Sequence, residues 1–515
     1  MEEFGRTIAK PTMKLRTIAL DVVLLTGWLA SVGLVVLHER GQLWGGAGNP
    51  TRFLEATLDA KEQWFGLYYQ GHKIGFSHLV IMPEERDGIP GVAILDRGRL
   101  AFSLLNTPQE LDIWFRSFID ADWQIRAFTA GVSSPTYQLK WSGTRQGDAL
   151  LVSITTPTGT VTKRVHDPTG SAFVSGLSSW AAFHRLRVGQ SGKAWVINPL
   201  ALNPEPVYFF VRRLETVEDT PALVVEAEIS GVTTTTWVTP EGEVLKETSP
   251  LGWEVRRETE QQIRQGLAER SAPLDLLSAT AVPVDRPLDD PEHLERITVI
   301  LNGATAGDLT VQRSWQTVLP PERLSAYRRT PPEGPWCLLE LQRPRMRPTQ
   351  TATPAPTIQR YQRPSLFVQS DHPAIIDKAR AIIGGSSGSW EQVVAVHRWV
   401  HQTLTKQLTI GIPSAVDILA TPTGDCHEHT ILFTALARSL GIPTRMVAGL
   451  VYQYGQFFYH AWPEVWLGEW IPTDPTLGQL IADATHIGLI EAENESLISL
   501  GQFVGRLRLS VLAVE

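Results

Sequence analysis

Cysteine is nearly missing from this chain, with two in 515 residues, Cys337 and Cys426. A disulfide scaffold, which needs many such crosslinks, is therefore excluded. A basic surplus is missing too: 46 Lys and Arg face 54 Asp and Glu, for a net charge of -8. Nucleic-acid binders show the opposite balance, so no nucleic-acid partner is expected. No internal repeat of fixed period runs through the chain. No acidic cluster of the kind that holds calcium stands out, and residues 60–287 contain neither a metal-ligand spacing nor a nucleophile motif. No metal and no cofactor are expected.

What is present points to a multi-domain, largely β protein. At 43% hydrophobic residues, the chain can bury large cores, and its length fits roughly two to four domains. Its 35 prolines and 41 glycines are widely spread, which suits a turn-rich protein better than a helical bundle. Many of the 17 tryptophans sit in short alternating runs, a pattern of pleated strands.

The N-terminus reads as a membrane signal. Arg6, Lys10, Lys14 and Arg16 form a basic tail, 1–17, ahead of an apolar stretch from Ile18 to Leu37. That stretch has about the 20 residues a bilayer-crossing helix needs. The basic flank predicts a cytoplasmic N-terminus and a periplasmic or extracellular body. A cleaved signal peptide is the rival reading; it fits less well because Ser31-Val32-Gly33 lies inside the apolar run.

Residues 38–59 read as a linker. From Gln63 onward, strand signals recur, beginning with WFGLYYQ, GHK and IGFSHLVI as a hairpin with Gly71 in its turn. Residues 60–287 are expected to form a mainly antiparallel β domain in which only 171–186 looks helical. A second small β-rich segment spans 288–342 and contains Cys337 in GPWCLLELQ, where the thiol reads as a small core hydrophobe. The Pro- and Thr-dense stretch 343–364 reads as an extended linker.

From residue 365 to 515 the pattern changes. PAIIDKARAII (373–383) and SWEQVVAVHRWVHQTL (389–404) carry helical periodicity, the second with Ser389 and Gln392 placed as a capping box and Trp390, Val393, Val396, Val400 and Leu404 on one face. The informative segment follows: TPTGDCHEHTILFTALARSLGIPTRMVAGL. Asp425 and Glu428 have the spacing of a helix start, and Gly441 with Pro443 ends the helix. Cys426 thus belongs to the first helical turn, where backbone N–H groups and the helix dipole favour a thiolate. The neighbouring carboxylates oppose it, so a cationic partner is required, and histidine fits. Strand TRMVAGLVY, then FFYHAWPEVWL, then WIPTDPT supply His460 and Asp474. Antiparallel strands joined by a short turn can set those two side by side. The roles would be nucleophile, general base and acid, and orienting carboxylate.

These three segments, GDCHEHTILFTALARSLGIPTR, YHAWPEVWL and WIPTDPT, resemble the motifs of the transglutaminase-like superfamily in order, spacing and flanking residues. The resemblance covers residues 365–490. It implies a papain-like α+β fold, with the Cys426 helix packed on an antiparallel sheet that carries His460 and Asp474. It also implies a thiol-dependent acyl-transfer enzyme acting on protein or peptide amides, with hydrolysis favoured over cross-linking. One local departure is His427, where eukaryotic members have an aromatic residue. Taken singly, the three residues have bland readings: a structural thiol, a satisfied strand histidine, an Asp-Pro turn. A zinc site made from Cys426, His460 and Asp474 is a minor alternative. His427 and His429 read as solvated or substrate-facing, Glu464 and Trp462 as support for His460, and Trp466 and Trp470 as core. The non-enzymatic alternative is a membrane-anchored binding module that uses the β domains.

Overall fold

The computed structural model describes residues 60–515 except 105–106, 121–123, 136, 167–185, 198–203, 230–231, 241, 251, 269–272, 310–312, 346–354, 408–412 and 494–499. The expected basic tail, membrane span at 18–37 and linker at 38–59 lie outside the described residues, as does nearly all of the helix expected at 171–186. Among the described residues no helix is long and apolar enough to cross a membrane.

Period-two alternation builds one sheet of fourteen strands between Lys61 and Glu258. The first eight strands follow one another outward from Lys61–Tyr69 to Gly159–His166. On the other side of Lys61–Tyr69 lies Trp253–Glu258, and the remaining strands run back to Ser191–Ile197. Every neighbouring pair is antiparallel, as meander connections require. The first hairpin turns at Gln70 and Gly71, whose φ values of 48° and 81° are the left-handed pair a two-residue turn needs. The mainly antiparallel β expectation for this part holds. Several elements escaped the sequence reading: strands Ile89–Leu104, Gly159–His166 and Trp253–Glu258, and helices Glu260–Ala268 and Leu276–Thr280. Gly159–His166 is exposed along nearly its whole length, so it has no apolar stripe to read.

The segment 288–342 contributes strands Arg296–Asn302, Gln316–Leu319 and Trp336–Gln342 to a four-stranded sheet. Its fourth strand comes from far downstream: Arg508–Val514 pairs antiparallel with Arg296–Asn302, setting Leu509 opposite Leu301 and Val511 opposite Val299. The expected small β segment is therefore completed by the far end of the segment assigned to the catalytic domain. Cys337 is buried in this sheet as expected, and burial pushes its thiol up to about 12.

Helices Pro373–Ile383, Ser389–Thr403, Ala415–Ala420 and Cys426–Ser439 pack around a second four-stranded sheet made from Thr444–Gln453, Gln456–Trp466, Trp470–Pro472 and Ile487–Glu491. The capping box expected at Ser389 and Gln392 is not formed. Gly388 is the N-cap, Ser389 is already helical, and the Gln392 amide donates instead to the Ser386 carbonyl at 2.9 Å. The latter half of the expected linker packs on this body: Tyr361 is buried and its hydroxyl donates to Glu491 at 2.8 Å.

The three parts are joined by specific contacts. The Gln316 side chain donates to the Gly488 carbonyl and accepts from the Gly488 N–H, both at 2.9 Å. Phe457 and Val282 form a two-way backbone bridge. The tip of the Ala149–Thr156/Gly159–His166 hairpin reaches the helix Ala415–Ala420, where the Asp417 carboxylate accepts from Thr156 and Thr158.

Candidate active site

Cys426 opens a helix whose start is fixed by chemistry local to it. Asp425 caps the His427 N–H at 2.9 Å, and Glu428 curls back to accept from the Asp425 N–H at 2.8 Å, completing the predicted capping box. Gly424 makes room for that return, because a Cβ there would meet the Glu428 side chain at 2.4 Å. The two carboxylates thus serve the helix terminus. Every residue from Cys426 to Arg438 is buried, and burial of Ile431, Leu432, Phe433 and Leu436 contributes about 1.5–3 kcal/mol each. The helix packs directly on the strand Gln456–Trp466. Cys426 shares an apolar cluster with Tyr459, Ala461 and Trp462, the residues around His460. Neither cysteine is in a disulfide, so the sulfur is not consumed by Cys337.

His460 lies in the middle of that strand, and its Nε2 donates to Asp474 Oδ2 at 2.7 Å. With Nε2 carrying the proton, Nδ1 is the basic nitrogen of the neutral ring. Asp474 stands just past the strand Trp470–Pro472, in a two-way backbone bridge to Gln479. Its Oδ1 accepts the N–H groups of Thr476 at 2.8 Å and Leu477 at 2.9 Å. Burial opposes its charge, but His460 and His486 hold its carboxyl well below the usual range. Cys426, His460 and Asp474 are 0%, 1% and 0% exposed.

Three histidines that sequence reasoning passed over converge on the same turn. His486 Nε2 lies 3.2 Å from Asp474 Oδ2, and its Nδ1 lies 3.1 Å from Asp483 Oδ1. His397 donates to the Asp474 carbonyl at 3.2 Å and His401 to the Pro475 carbonyl at 2.8 Å. The last two are one turn apart on the helix Ser389–Thr403, a spacing visible in HRWVH but masked by the apolar stripe beside it. Burial lowers His397 and holds His429 down at about 4, so both rings are neutral. His427 and His429 are buried rather than solvated, because the whole helix start is enclosed by the core. His429 turns its Nδ1 to the Asp425 carbonyl at 2.5 Å.

Glu464 and Trp462 support the His460 strand, as their alternation with His460 suggests. Arg445 grips Glu464 through Nε at 2.9 Å and Nη2 at 2.7 Å, and Arg313 lies 3.4 Å away on the other oxygen. Trp462 stacks beside His460 at 6.1 Å and meets the His486 ring edge-on at 5.0 Å. Close approach of the strands depends on Gly449, opposite His460 in register. A Cβ there would sit 2.0 Å from the Ile487 carbonyl and 2.8 Å from Trp462. Trp470 is core as expected, with the Arg445 guanidinium 4.2 Å above its ring.

For a metal, the donor set that comes together is His460, Asp474 and His486, whose ligand atoms lie within 4.8 Å of one another. The zinc alternative made with Cys426 is thus not the grouping that forms. Both nitrogens of His486 face carboxylates that already accept other N–H or O–H groups. The arrangement is suited to holding an imidazole in one tautomer.

Residues 376–475 match the family model described as the transglutaminase-like superfamily. Similar solved structures include a candidate cysteine protease from Cytophaga hutchinsonii, at 17% identity over 43% of this chain and 86% of that chain, TM-score 0.30. A beta-barrel-like protein of a domain of unknown function from Brucella abortus is 10% identical over 38% of this chain and 94% of that chain, TM-score 0.27. A candidate protease from Parabacteroides distasonis is 9% identical over 54% of this chain and 64% of that chain, TM-score 0.17. No curated protein matches the chain.

Proposed function

Proceeding from a chain that carries a transglutaminase-like superfamily domain over residues 376–475, we propose that it is a thiol-dependent acyl-transfer enzyme acting on protein or peptide amides. The observation that carries this reading is the buried 2.7 Å contact between His460 Nε2 and Asp474 Oδ2, on a strand against which the Cys426 helix is packed.

In the proposed cycle, His460 Nδ1 takes the Cys426 proton and the sulfur attacks an amide carbonyl carbon. An N–H group at the helix start would supply one of the donors to the tetrahedral oxyanion. The carbon–nitrogen bond breaks, His460 returns the proton to the leaving amine or ammonia, and a thioester remains. Water, deprotonated by His460, then adds to the thioester, releasing a carboxylic acid and restoring the thiol. Asp474 holds the ring and stabilises the imidazolium. We favour water over a lysine amine as the acceptor, which makes the enzyme a protease or deamidase.

Iodoacetamide labelling of Cys426 near neutral pH tests the chemistry. Labelling faster than that of an ordinary thiol, slowed tenfold or more by His460→Ala, is expected. Labelling at the ordinary rate in both proteins supports the alternative of an inactive binding module. Mapping of new peptide N-termini against incorporation of a tagged amine then separates hydrolysis from cross-linking.

A further inference from the structure

We propose that His486 is a positioning residue for this site: held as an imidazolium between Asp483 and Asp474, it pins the carboxylate that orients His460 and offsets that carboxylate's charge. The inference rests on the thiol-enzyme reading above and extends it to a residue outside the three motifs.

The geometry fixes the protonation state of the ring. Asp483 Oδ1 already accepts from the Thr485 N–H at 2.8 Å and the Thr485 hydroxyl at 2.6 Å, and Oδ2 accepts from the Gln479 amide at 2.7 Å. Asp474 accepts two backbone N–H groups and His460. Both carboxylates are therefore saturated with donors and ionised. A ring placed between two ionised carboxylates must donate from both nitrogens, which is the imidazolium. Burial opposes that charge, but Asp483 and Asp474 outweigh it and hold His486 up at about 9. The circuit closes through Gln479, whose backbone pairs with Asp474 and whose side chain binds Asp483 through both its amide and its carbonyl. All of these groups are buried or nearly so.

The charges around the pair are few. Helix Ser389–Thr403 presents His397 and His401 to the backbone of the turn. The Cys426 helix presents His429, neutral by burial. From the small sheet, Arg313 packs on Gly488, with Glu464 opposite its charge. His486 thus meets the same Asp474 Oδ2 that accepts from His460. The two rings are 6.0 Å apart between centroids. The charge therefore lies close to the His460–Asp474 pair.

The test compares the pH dependence of Cys426 alkylation in the parent, His486→Gln and His486→Leu, alongside histidine ¹⁵N spectra of the full protein. Gln keeps a donor toward Asp474 and loses the charge. Its alkylation window is expected to move to higher pH, because a positive charge beside the His460–Asp474 pair is lost, with the plateau rate kept within a few-fold. Leu loses both and is expected to lower the plateau tenfold or more. The parent spectrum is expected to show one histidine doubly protonated above pH 8 that is absent from His486→Gln. A parent spectrum without such a histidine overturns the proposal. So does a His486→Gln protein that melts lower while its alkylation window stays in place. If parent Cys426 is no faster than an ordinary thiol, the enzyme reading fails, and the spectra still decide the state of His486.

Discussion

Asp474 divides its work between its two oxygens. Oδ1 is locked by the N–H groups of Thr476 and Leu477, which leaves Oδ2 to face His460. The substitution Asp474→Asn keeps the shape but presents an amide that can donate where the carboxylate accepted. The His460 ring would then carry its proton on the wrong nitrogen. A fall of roughly 10²–10⁴ in turnover is expected with little change in fold, checked by single-turnover kinetics on a peptide substrate and by circular dichroism. The placement of Cys426 at a helix start, of His460 within a strand and of Asp474 beside it was legible in the sequence, because each sits in a local motif. His486, His397 and His401 were not, because their partners are Asp483, Asp474 and Pro475, brought to them only by the folded turn.

At the scale of elements, legibility followed the strength of the local signal. The Cys426 helix was readable end to end, since the Asp425–Glu428 pair starts it and Gly441, at φ 77°, ends it. The strand Ile89–Leu104 is interrupted by Asp96, Arg97, Gly98 and Arg99, and its pairing with two long neighbours overrides that composition. The same sheet buries two acids with a pH signature. Burial pushes Asp96 up to about 7 and Glu247 up to about 8, partly offset by hydroxyls of Ser77 and Thr236. Glu247 ionises near its ordinary 4.5 when unfolded, so between 4.5 and about 8 the folded chain binds the extra proton. Stability therefore falls as pH rises through that window. The substitution Glu247→Gln is expected to leave stability near pH 4 unchanged and to raise it by about 5 kcal/mol at pH 9. Urea titrations of both proteins at the two pH values check this.

At the scale of the whole molecule, the body that carries Cys426 and His460 cannot be cut out at the linker. Leu509 and Val511 on Arg508–Val514 are buried against the partners supplied by Arg296–Asn302. A fragment 355–515 would bare that strand and its apolar face, whereas 288–515 would keep them covered. The shorter fragment is expected to aggregate and the longer one to stay soluble, as size-exclusion chromatography of the two will show. This division was not legible because a strand paired with another some two hundred positions upstream leaves no local mark. It also imposes a schedule on biosynthesis. The small sheet fastens Gly488 through Gln316, two residues from His486. That sheet waits for Arg508–Val514, which a ribosome delivers after Cys426, His460 and Asp474. A nascent chain thus carries Cys426 and His460 while the sheet that fastens Gly488 is still unfinished.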